Sequence, residues 1–152
     1  MVVVSIDPSI NFCGFAVHID SKLISQALFI PNKSDKEYYE KARTIFTLIK
    51  NIYDEIEGDK VLVLECPEYW KVAGHAARES GSVFKLTFLC GMIYTIDPNT
   101  IIVTPSGWKG QMSKDVVNNR LRSVYPSIDI ENMNHNIVDA IGIGHWYIHK
   151  KV

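Results

Sequence analysis

The chain has 152 residues, 47% of them hydrophobic, which suits one domain with a core of its own. Charged residues make up 22% and the net charge is −1. Neither a disordered chain nor a protein that coats nucleic acid by bulk positive charge is therefore expected. No apolar run approaches the roughly 18 residues of a membrane helix. The start Met1-Val2-Val3-Val4-Ser5-Ile6-Asp7 has neither the basic region nor the cleavage site of a secretory signal. Cys13, Cys66 and Cys90 sit in apolar segments without C-x-x-C spacing. They read as reduced thiols of a cytoplasmic protein.

Val2 to Ile6 is a β-branched run closed by the turn signal Asp7-Pro8-Ser9. Phe12 to Ile19 and Leu23 to Ile30 are two further strands, joined through Asp20-Ser21-Lys22, and the three suit an antiparallel meander. Ser34-Asp35-Lys36-Glu37 matches a capping box. Apolar residues from Ala42 to Ile56 then recur at helical intervals, which predicts a long amphipathic helix ended by Gly58. Val61-Leu62-Val63-Leu64 is a buried-type strand that delivers Glu65 at its end. A polar loop follows over Pro67 to Ser80, then an apolar helix over Val83 to Ile96 and a short strand over Thr100 to Val103. Thr104 to Gly110 reads as a loop, Ser113 caps a helix reaching about Tyr125, and a last helix runs from about Asn134 to His149. No repeat or linker divides residues 1–152, so they are read as a single domain. The order predicts an α/β fold, a mixed five-stranded sheet with helices on both faces.

Asp7 ends the first strand and Glu65 the fourth. If those strands are adjacent and parallel, both carboxylates emerge at one edge of the sheet, where open α/β sheets place their sites. Asp139 interrupts the otherwise apolar Ile137-Val138-Asp139-Ala140-Ile141, and a carboxylate in such a setting needs a partner. Three carboxylates converging without a nearby Lys or Arg repel one another, and a divalent cation relieves the repulsion. An all-oxygen donor set favours Mg²⁺ or Mn²⁺ over zinc. Two such ions about 4 Å apart suit phosphodiester hydrolysis. Each acid alone also has a plain structural reading, as a turn residue, an ion-pair partner or a helix cap.

The segments Ser5-Ile6-Asp7-Pro8-Ser9, Gly14-Phe15-Ala16-Val17, Val63-Leu64-Glu65 and Val138-Asp139-Ala140-Ile141-Gly142-Ile143-Gly144 resemble the RuvC family of Holliday-junction resolvases, within the RNase H-like superfamily. Thr104-Pro105-Ser106-Gly107-Trp108-Lys109, followed by Ser113-Lys114, is similar to the shorter phage members. The resemblance implies a metal-dependent endonuclease that works as a homodimer and makes paired nicks in four-way DNA junctions. It assigns Asp7, Glu65 and Asp139 as the acids that hold two Mg²⁺ ions. The family carries an acid or histidine three residues before the last acid. Here that position is Asn136, with His135 one further back, so the fourth ligand is one or the other.

The resemblance also implies lysines near the scissile phosphate, for which Lys109 and Lys114 are the candidates, and an aromatic beyond the second acid that stacks on bases, here Tyr69 or Trp70. Between Tyr69 and Pro126 stand Lys71, Arg78, Lys85, Lys109, Lys114, Arg120 and Arg122 against three acids, a local +4 in a chain of −1. These cations are the expected phosphate contacts. Trp108 reads as a packing anchor. Phe84, Phe88, Met92 and Ile93 suit either a dimer face or ordinary core. Three rivals stand beside the resolvase: an RNase H-like nuclease acting on other branched DNA or on RNA–DNA hybrids, a non-catalytic junction binder, and an actin-like ATPase. The last needs two such domains, and the chain is too short for them.

Overall fold

The computed structural model describes residues 1–67 and 81–150. The elements are β1 (Val2–Asp7), β2 (Cys13–Ile19), β3 (Lys22–Phe29), α1 (Tyr38–Glu55), β4 (Lys60–Glu65), α2 (Ser82–Tyr94), β5 (Ile101–Val103), α3 (Pro105–Lys109), α4 (Lys114–Val124) and α5 (His135–His149). The sheet runs β3-β2-β1-β4-β5. The first three strands form the expected antiparallel meander, while β1, β4 and β5 are parallel.

β1 lies at the centre of the sheet, and every one of its residues is buried. Successive strand residues point to opposite faces, and the two faces belong to two cores. Val2, Val4 and Ile6 face the apolar stripe of α1, Ala42, Ile45, Ile49 and Tyr53, together with α2. Val3, Ala16 and Val63 face α3, α4 and α5 on the other side. The sheet is thus covered on both faces, as the sequence predicts. No described helix is long and apolar enough to cross a membrane, and all three cysteines are free.

Two boundaries differ from expectation. α1 is capped not by Ser34 but by Glu37, and the Glu40 carboxylate accepts from the backbone N–H groups of Glu37 (2.9 Å) and Lys36 (2.8 Å). The reason lies in Asp35, whose carboxylate accepts from Asn32 N at 2.9 Å and Thr44 Oγ1 at 2.7 Å and so closes a separate turn ahead of the helix. The segment read as a loop over Thr104 to Gly110 contains α3. Thr104 Oγ1 accepts from Gly107 N at 3.1 Å and Pro105 follows at the first helical position, a start signal that outweighs the two glycines. The polar loop expected over Pro67 to Ser80 lies almost wholly outside the described residues.

α5 approaches the sheet closely at two bare positions. A Cβ on Gly14 of β2 would stand 1.9 Å from the Asn136 carbonyl oxygen, and one on Gly144 would stand 2.5 Å from the His18 ring and 2.7 Å from Ser5 Oγ. Between them the buried Ser5 hydroxyl donates to the Ala140 carbonyl at 2.7 Å. These contacts hold the helix at a fixed height over β1 and β2.

Candidate active site

Residues Ile6 and Leu64 are register partners in the parallel β1–β4 pair. The next residue of each strand, Asp7 and Glu65, therefore emerges at the same end of the sheet. Asp139 comes from the second turn of α5, directly before Ala140, whose carbonyl is tied to Ser5. Three segments far apart in sequence thus bring their carboxyl groups to one edge.

The groups sense one another. Burial holds the Asp7 carboxyl well above its ordinary value; the charges of Glu65 and Asp139 push it further up, and Lys109 partly offsets them. Glu65 is also raised, first by burial and then by Asp139, against a hydrogen bond from Trp108 and the charge of Lys109. The causes are those expected of like charges crowded in a low-dielectric setting.

A lysine stands among these acids, and it is Lys109, one of the two that the resemblance places near the scissile phosphate. Lys109 Nζ lies 3.1 Å from Asp139 Oδ2, and it also sits 4.8 Å from the centre of the Trp108 ring. The adjacent Trp108 is the packing anchor expected of it, only 3% exposed, and its indole N–H also donates to Glu65 Oε2. The short helix α3 therefore serves two carboxylates at once. Sequence reasoning gave Trp108 no role at the acids, although its place beside Lys109 in the Thr104–Lys109 motif was a signal.

No protein-family model and no curated protein matches the chain by sequence. Solved structures do match by shape. The chain is similar to T. thermophilus RuvC in complex with Holliday junction substrate, with a TM-score of 0.75 and 16% identity over 99% of this chain and 96% of that one. A second Thermus thermophilus RuvC structure gives 0.71 and 14% over 99% and 98%. The fold is RuvC-like.

Within this RuvC-like fold the donor set suits a hard divalent cation, since all three acids offer oxygen and repel one another. Among the described residues, however, no three His, Cys, Asp or Glu side chains stand together as a ready cation cage. Glu65 is turned to Trp108 and Asp139 to Lys109. His135 is exposed at the start of α5. Asn136 is buried, and its amide nitrogen donates to the Phe12 carbonyl, binding the helix start to the β1–β2 turn. Lys114 and Arg120 are exposed on α4, while Lys85 is half-buried on α2. Tyr69, Trp70, Lys71 and Arg78 lie outside the described residues.

Proposed function

We propose that this protein is a divalent-metal-dependent endonuclease that cuts branched DNA, with the four-way junction as its substrate. The observation that carries the reading is the convergence of Asp7 and Glu65, from the ends of two paired parallel strands, with Asp139 of α5. The RuvC-like fold, one of whose neighbours was solved with a Holliday junction, supports the choice of substrate.

Asp7, Glu65 and Asp139 would hold two Mg²⁺ ions, with Mn²⁺ as a substitute. When bound, the ions supply Lewis acidity and neutralise charge on the phosphate. The chain's own groups do the rest. Trp108 orients the Glu65 carboxylate, and Lys109, already in the site, offers its ammonium to the phosphate as negative charge develops there. Lys114, at the first turn of α4, is the second candidate for a phosphate contact. Of the two possible fourth ligands, His135 is favoured, because it is exposed at the start of α5 whereas Asn136 is buried, its side chain held by the bond from its amide nitrogen to the Phe12 carbonyl. The products are a 5′-phosphate and a 3′-hydroxyl.

A homodimer fits the same reading. α2 buries Leu89, Cys90 and Ile93 but leaves Phe84 64% and Phe88 39% exposed. A second copy covering that face would give two sites for a substrate with near two-fold symmetry.

The test is Asp7→Asn. The variant is expected to bind a synthetic four-way junction and to have lost Mg²⁺-dependent nicking. It is also expected to melt at a higher temperature than the parent in EDTA, because it removes a buried charge crowded by two others. Parent-like nicking by Asp7→Asn would overturn the site. Preferential cutting of a hybrid or a linear duplex, in a side-by-side panel, would overturn the substrate.

A further inference from the structure

The turn after Asp7 opens onto a groove that the site described above does not use. Two clefts, of about 430 Å³ and about 390 Å³, adjoin there and share Asn11, Lys36 and Lys41. The first begins at Pro8 and Ser9, directly beyond Asp7, and is bounded on its far side by Ser82 and Lys85 of α2. The second continues past Phe12 toward Ile30 and Lys33.

Four lysines line this groove against one acid, Asp35. The Asp35 carboxylate is occupied by Asn32 N and Thr44 Oγ1. The lysine contacts are to neutral oxygens: Lys41 Nζ donates to Asn11 Oδ1 at 3.0 Å, and Lys36 Nζ donates to the Lys33 carbonyl at 3.2 Å. These bonds position the ammonium groups without cancelling their charge. Glu40, the nearest acid of α1, is turned to the backbone N–H groups of Lys36 and Glu37. At the outer end Phe12 is 47% and Ile30 54% exposed.

Spaced cations with hydroxyl and amide groups between them, and an exposed aromatic at one end, are the chemistry of a phosphodiester chain. We propose that this groove carries the backbone of the DNA arm that leads away from the scissile phosphate. Lys36, Lys41 and Lys85 contact its phosphates, and Phe12 packs against a base or sugar where the arm leaves the protein. The proposal rests on the nuclease reading and adds a path for the substrate. It lies mostly in the amino-terminal part of the chain, where the sequence charge count pointed away from DNA.

The experiment compares the parent with Lys36→Ala/Lys41→Ala, Lys36→Arg/Lys41→Arg and Phe12→Ala. Binding of a fluorescent four-way junction is read by anisotropy across a salt series, with Ca²⁺ in place of Mg²⁺. The double alanine variant should lose about tenfold or more in affinity. Its slope of log affinity against log salt should fall by about 2, near 0.9 per lost phosphate contact. The arginine pair should restore both. Phe12→Ala should weaken binding several-fold with the slope unchanged. Parental affinity and slope in the double alanine variant overturn the groove and leave the nuclease reading standing. A parent that neither binds nor nicks branched DNA overturns both.

Discussion

Lys109 Nζ stands 3.1 Å from Asp139 Oδ2, and both side chains are mostly buried, at 26% and 22% exposure. The lysine belongs to α3 and the acid to α5, so the ion pair joins two helices over the carboxylates of β1 and β4. It places one positive charge among three negative ones, which lowers the repulsion that Asp7 and Glu65 feel.

Replacing that ammonium tests its part in the chemistry. Lys109→Met keeps the stem and deletes the charge. Single-turnover nicking should fall about 10²-fold, the usual cost of losing one donor aimed at developing charge. Lys109→Arg should retain part of the rate. Unchanged rates in Lys109→Met would remove Lys109 from the mechanism.

Trp108 is separable from its neighbour. Trp108→Phe preserves a buried ring but loses the indole N–H that Glu65 accepts. The half-saturating Mg²⁺ concentration should rise about 10- to 100-fold, as it does when a group that orients a metal ligand is lost. The maximal rate at high Mg²⁺ should change less. A Mg²⁺ titration of nicking reads both. A variant with the parental Mg²⁺ dependence would leave Trp108 a packing residue only.

Gly14 is a strictly steric prediction. Because a Cβ would meet the Asn136 carbonyl at 1.9 Å, Gly14→Ala must push the start of α5 off the sheet. The cost is that of severe overpacking, about 3 kcal/mol or more. Urea unfolding measures it. If Gly14→Ala matched the parent in stability, the close approach of α5 to β2 would be wrong.

His18 gives the protein an acid-sensitive stability. Its ring is fully buried, and neither nitrogen has a hydrogen-bond partner among the described residues. Burial, with His145 and His149 facing it from α5, lowers it from 6.5 to about 4; the Tyr125 ring lies beside it. Between those values the unfolded chain binds a proton that the folded chain refuses. Stability should therefore fall as pH drops from 6.5 toward 4, by about 3 kcal/mol in all. His18→Gln should flatten that part of the profile whatever its effect at neutral pH. An equally steep profile in the variant would assign the acid sensitivity elsewhere.

The positions of Asp7 and Glu65 were legible because each closes an apolar strand run, and run-plus-acid is a local pattern. The apolar runs of β1 and β4 suited central positions in the sheet, but that the two are adjacent and parallel comes from the structure. What stayed hidden was non-local. Trp108 meets Glu65 across 43 residues, and Lys109 meets Asp139 across 30, and nothing in the spacing announces either contact. The misplaced start of α1 has a different cause. Ser34 and Glu37 matched a capping box, but Asp35 drew the chain into a prior turn and the true pair began three residues later.

The two bare positions under α5 carry a lesson for anyone wishing to redesign the site. Asp139 lies between the Asn136 backbone that rests on Gly14 and the Gly144 backbone that rests on His18 and Ser5. Its reach toward Asp7 is therefore gauged by two missing side chains rather than by anything the acid itself does. A larger residue at either end would act as a shim, tilting the helix and moving the carboxylate without touching it. The substitutions most able to retune this site are ones that carry no functional group at all.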